Sequence, residues 1–221
     1  MPFLDDTGFD TSERSPLWSA FALIADQLER MIVLNVFWAL QWIPLLIAFG
    51  WTELPAAVRV ILIGYTLIAC APATVVLYGM VRLAAQHETL HVYQVWDLLR
   101  ARGLGGAKAL VPLIGIIGVL LLGSSVQNIL FSALCQLGLL LMLVFSNYWG
   151  VLLAARPIDN PLRLLAESAR LAWRFPVQTV IVQGAVLLAL VLGTISIGGL
   201  VLIVPVVIAV LQTQMYRTLM E

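Results

Sequence analysis

Charge is what this sequence has least of. Only 11% of its 221 residues are Asp, Glu, Lys or Arg, against 62% hydrophobic ones; an ordinary globular chain is about 25% charged and about 45–50% apolar. A soluble single domain of this length cannot cover so much apolar surface, and a disordered chain would not contain it. Two cysteines exclude a disulfide scaffold, and 12 Lys+Arg balanced by 12 Asp+Glu leave no basic field for nucleic acid. What remains is a polytopic membrane protein.

The missing charges mark out the spans. Charge-free runs stand at Met31–Thr52, Val60–Val81, Ala109–Ala155 and Phe175–Tyr216. A crossing helix needs about 20 mostly apolar residues. The first two runs are therefore one span each, and the last two are hairpins. Gly123-Ser124-Ser125 with Gln127-Asn128, and Gly193-Thr194 with Gly198-Gly199, supply the turns. The reading is all-α, with six spans at roughly 31–51, 60–81, 109–125, 129–153, 175–192 and 197–216. A five-span alternative makes 109–125 re-entrant.

Cytoplasmic loops of membrane proteins carry an excess of Lys and Arg. With six spans, Arg14, Arg30, Arg82, Arg100, Arg102, Lys108, Arg156, Arg163, Arg170, Arg174 and Arg217 share one side, and Arg59 stands alone on the other. That asymmetry places both termini in the cytoplasm, at the plasma (inner) membrane. The acidic start (Asp5, Asp6, Asp10) does not read as a signal peptide. Cys70 and Cys135 fall inside apolar runs and read as small hydrophobes, not as a bridge.

The polar segments carry helical signals of their own. Ser15-Pro16 opens a helix with Trp18, Phe21, Ile24 and Leu28 at helical spacing; Val92, Val95, Trp96 and Leu99 mark a second, which Gly103-Leu104-Gly105-Gly106 is expected to end. Asn160-Pro161 opens a third, with Arg163, Glu167, Arg170 and Arg174 as a polar stripe and Leu162, Leu165, Ala169 and Ala172 as its apolar side. These predict interfacial helices at roughly 16–30, 88–102 and 160–174, lying in the headgroup plane. Arg30, Lys108 and Arg174 each follow a bulky apolar residue (Trp18, Trp96, Leu162) by twelve positions and precede an apolar run. The pattern is that of a weak triplicated unit, with spacings of 78 and then 66 residues.

Leu34-Asn35-Val36-Phe37-Trp38, then Pro44, then Pro72-Ala73-Thr74-Val75-Val76-Leu77-Tyr78-Gly79-Met80-Val81-Arg82 resembles the YesL family of bacterial membrane proteins. The resemblance is clearest over residues 30–110, with Trp96 standing where the family tends to have Phe, and two departures: a long spacer before Pro72, and Gly105-Gly106 in place of a more polar stretch. It implies a multi-span protein linked to carbohydrate uptake, with no catalytic residues to carry over.

Two chemistries compete for the polar residues. His87-Glu88-Thr89-Leu90-His91 is formally H-E-x-x-H, which on a helix sets two imidazoles beside a Glu base for zinc. It sits at the polar exit of a span, and its third ligand would have to be Asp97 or Glu167, so a solvated linker is the simpler reading. Inside the spans stand amides: Asn35, Gln41, Gln136, Asn147, Gln178 and Gln183, expected to bond between helices or, alternatively, to line a neutral-solute path. No Asp, Glu, Lys, Arg or His falls within a span, which disfavours ion-driven transport by this chain alone. Pro72 is expected to kink its span. Ala185, Ala189 and Gly193 form a small-residue face for close helix packing.

The expected function is non-enzymatic and cofactor-free: an accessory or permease-like component of solute transport or of a membrane complex. Its partners are the bilayer and other membrane proteins or a second copy, without nucleic acid. The alternatives are a membrane metalloprotease on His87, Glu88 and His91, and a stand-alone facilitator of neutral solutes.

Overall fold

The structure is a computed structural model that describes residues 27–86, 91–195 and 204–220, apart from the side chains of residues 28, 92, 194 and 195. Among these residues there are helices and no strands. The expected helix at 16–30 and the pentad residues His87, Glu88, Thr89 and Leu90 lie outside them, as do residues 196–203 at the start of the expected sixth span.

The first expected span is two helices, α1 (Leu28–Leu40) and α2 (Ile43–Gly50), bent by 43°. The break has a cause in the sequence. Pro44 has no N–H to give Leu40, and its ring crowds the preceding turn; Gln41 and Trp42 instead bond back to Trp38 and Ala39 in tight turns. By contrast α3 (Ala56–Ala85) continues as one 30-residue helix through Pro72.

The glycines at 103–106 do not terminate the second amphipathic segment. Helix α4 (Val92–Leu98) passes through a π-helical turn, Leu99–Gly103, into α5 (Leu104–Ser124), one helical stretch from Tyr93 to Ser124. The reason is packing. A side chain on Gly106 would overlap Val75, and one on Gly103 would crowd Pro72, so this bare helix face lets α5 lie close against α3. Such an extra-residue turn is a usual way to re-phase a helix without ending it.

The signal for the first hairpin holds, while Gly198-Gly199 of the second lies outside the described residues. Helix α5 ends at Ser124 and α6 (Ile129–Ala155) starts on Asn128, whose side chain accepts from the Phe131 N–H at 3.1 Å. Ser132 Oγ donates across the hairpin to the Ser124 carbonyl at 2.6 Å. Helix α7 (Pro161–Arg174) opens on Asn160 and Pro161 as the sequence predicts, and Glu167 pairs with Arg163 at 3.1 Å and with Arg156 at 3.2 Å.

The buried face of α7 is displaced from the expected one. Leu164, Ser168, Leu171 and Ala172 are buried, while Leu162 is 73% and Trp173 90% exposed. The apolar side of α7 is one broad arc, of which Leu164, Leu171 and Ala172 meet the bundle and Leu162 and Trp173 face outward. The expected stripe Leu162, Leu165, Ala169 and Ala172 follows the outer part of that arc and so misses Leu164 and Leu171.

Helices α8 (Pro176–Ile195) and α9 (Val204–Met220) are the last two among the described residues. Four stretches are long and apolar enough to cross a membrane (Ala56–Ala85, Tyr93–Ser124, Ile129–Ala155 and Pro176–Gly193), or five if α1 and α2 count as one. The core has two parts. Met31, Leu34, Val76, Val81, Val206 and Val210 join α1, α3 and α9. Leu110, Leu113, Tyr148, Leu152, Leu164 and Val182 join α5 to α8.

Candidate functional site

The polar residues of the bundle gather in two places: a chain of neutral side chains within it, and a ring of arginines at one end. The neutral chain runs across three helices. Tyr78 of α3 donates its hydroxyl to Gln212 Oε1 of α9, and Gln212 Nε2 donates to Asn147 Oδ1 of α6 at 3.1 Å. All three are buried. Gly150 makes the reach possible: the Tyr78 ring lies on its backbone, where any Cβ would overlap the ring. Parallel bonds join Tyr148 of α6 to Thr179 of α8 at 2.6 Å, and Trp38 Nε1 of α1 to Thr74 Oγ1 of α3 at 3.1 Å.

Of the six amides read from the sequence, Asn147 alone makes a bond between helices among the described residues. Gln41 donates at 3.3 Å to the Phe37 carbonyl of its own helix, beside the α1–α2 break. Asn35 is fully buried, but neither of its side-chain polar atoms has a partner among the described residues. Gln183 Oε1 is buried and unpartnered too. Gln136 and Gln178 face outward, Gln136 donating to Ser132 one turn back at 3.5 Å. The sequence reading of span amides omits Gln212, although it is an amide inside the expected sixth span, and it passes over Tyr78 and Thr179 because aromatic and hydroxyl residues are common in spans and nothing in their spacing pairs them.

The small-residue face turns partly inward, with Gly193 buried and Ala185 and Ala189 half-buried. Cys70 and Cys135 are buried free thiols on α3 and α6. Of the H-E-x-x-H pentad, only His91 is described. It is exposed and extended (φ −125°, ψ 146°) at the cap of α4, its backbone N–H donating to Gln94 Oε1 at 2.8 Å and its ring stacked on Tyr93. A helix face carrying both imidazoles would have to continue through His91, and there the backbone is not helical. No group of three or more His, Cys, Asp or Glu with metal-binding geometry occurs among the described residues, and Asp97 and Glu167 do not converge on His91.

The arginines close the ends of helices. Arg82 Nη1 donates to the Ala154 carbonyl at 2.8 Å, and Arg102 Nη1 donates to the same oxygen. Arg217 Nη1 reaches the Ala85 carbonyl at 2.6 Å. Each carbonyl belongs to the last turn of a helix, the negative end of its dipole. Beside them lies a cavity of about 280 Å³, bounded by Arg82, Arg217, Gln86, Thr213 and Tyr216. A larger groove of about 540 Å³ lies between α1, α3 and α4, with an apolar floor and Glu29, Arg30 and His91 on its walls.

The phenol and amides of the neutral chain donate and accept hydrogen bonds, and the arginines donate only. Comparison with protein-family models, curated proteins and solved structures gives no match for this chain.

Proposed function

We propose that the chain is a six-span protein of the bacterial plasma membrane, both termini cytoplasmic, that works without catalysis as an accessory or permease-like component of solute transport or of a membrane complex. The sequence likeness to the YesL family over residues 30–110 supports carbohydrate as the solute class. Four helical stretches compatible with crossing a membrane, five with the bent α1–α2 pair, support the embedding; the sixth span rests on the charge-free run that ends in α9.

One observation carries the interaction role. The first half of α6 is exposed, and the amide of Gln136 shares its face with the open side chains of Ile129, Ala133, Leu140 and Leu143. An amide among apolar side chains within hydrocarbon gains by meeting a partner amide or hydroxyl on another helix, by about 0.6–2 kcal/mol. The occupant this favours is a helix of another membrane protein or of a second copy.

A photoreactive amino acid at position 136, with a control at exposed Ile61 of α3, tests this in native membranes. The expected result is a protein adduct from 136, and lipid adducts alone from 61. Lipid adducts alone from both positions would contradict the reading.

A further inference from the structure

We propose that the cavity beside Ala154 is a binding site for a phosphate group, held by Arg82 and Arg217 with the Thr213 hydroxyl. The inference is independent of the Gln136 face and rests on three observations.

The first is an excess of positive charge. Arg82, which lines the cavity, converges on one carbonyl oxygen with Arg102, which lines a second cavity together with Asp159, so two unit charges share a helix end whose dipole supplies only about half a negative charge. Neither forms an ion pair among the described residues, where Glu167 is committed to Arg156 and Arg163. Two half-buried guanidiniums bonded to one oxygen repel each other, and an anion beside Arg82 would relieve that repulsion.

The second is the shape and lining of the cavity. Its about 280 Å³ admits a phosphate with the first atoms of a substituent, and no carboxylate lines it among the described residues. Gln86 and the Arg82 and Arg217 guanidiniums supply N–H donors, while Val151 and Met220 form an apolar wall. Helix C-termini ordinarily repel anions, but here arginine caps the Ala154 and Ala85 carbonyls and sets its donors at the edge of the space. The planar fork of arginine matches phosphate oxygens in pairs.

The third is an unused hydroxyl. Thr213 is 3% exposed and lines this cavity, yet its Oγ1 has no hydrogen-bond partner among the described residues. A buried hydroxyl left unpaired is costly, and a phosphate oxygen in the cavity would accept from it.

The same chemistry could come from a lipid headgroup or from a soluble phosphate. The test uses full-length protein in a phosphate-free maltoside detergent, titrated with inorganic phosphate and, separately, with short-chain phosphatidic acid, binding being read as thermal stabilisation. Saturable binding of at least one probe is expected. It should be weakened roughly ten- to a hundredfold by Arg82→Gln, the scale of one charge-assisted hydrogen bond, and roughly three- to tenfold by Thr213→Val.

Thr213→Val removes an unpartnered group without changing volume, so it keeps the fold where Arg82→Gln fails to. Binding of phosphatidic acid alone assigns a lipid headgroup; binding of inorganic phosphate assigns a soluble source. No saturable binding of either probe, or affinity unchanged in Thr213→Val, would overturn the proposal.

Discussion

Gly150→Ala is the sharpest perturbation of the bundle. The added methyl would occupy space now filled by the Tyr78 ring, which is buried between α3, α6 and α9 and cannot swing to solvent. Overpacking of this kind costs about 1–3 kcal/mol. Displacing the ring also breaks the Tyr78–Gln212 hydrogen bond, and a bond between membrane helices contributes about 0.6–1.7 kcal/mol. The sum is a loss of about 2–5 kcal/mol, measurable as reversible unfolding in mixed micelles. The control is a double-mutant cycle with Tyr78→Ala. Without the ring the methyl fits, so Gly150→Ala should then cost close to nothing, leaving a coupling of about 2 kcal/mol or more. A full cost that persists in the Tyr78→Ala background would show that Gly150 acts through something other than this ring.

Two further outcomes follow from the packing and from the pentad. Ala189→Leu should force apart helices that meet at the inward part of the α8 face and lower stability by about 1–3 kcal/mol; unchanged thermal stability in detergent would mean that the face points to lipid. Purified protein should hold well under one equivalent of tight zinc, and Glu88→Gln should leave any cellular phenotype intact, since His91 caps a helix and does not continue one. Stoichiometric zinc lost in His87→Ala, with a Glu88→Gln null, would establish the protease instead.

Much of the architecture is legible in the sequence because exclusion of charge from lipid is a strong, local rule. The Gly123–Asn128 turn, the Asn160-Pro161 helix start and the Arg163–Glu167 pair can be read from neighbours in the chain. What is not legible is pairing at a distance. Gly106 reads as a helix breaker until Val75 is seen against it, and Gly150 reads as one more small residue until Tyr78 lies on it. The same glycine signals either a terminus or a close approach, and only the partner helix decides. Pro44 and Pro72 make the point again: both lie in apolar runs, yet the helix breaks before the first and continues through the second. The convergence of Arg82 and Arg102, twenty positions apart, on Ala154 is equally hidden, since each merely counts as one more cytoplasmic charge in the sequence.

The central claim, a six-span chain with both termini in the cytoplasm, is open to one direct measurement. In a background with Cys70 and Cys135 replaced by Ala, single cysteines at Leu54, Val126 and Asn160 are exposed to a membrane-impermeant thiol reagent applied to intact cells. The account predicts labelling from outside at 54 and at 126, and labelling at 160 only after the cells are opened. Labelling of the cysteine at 160 in intact cells, or protection of that at 126, would contradict it.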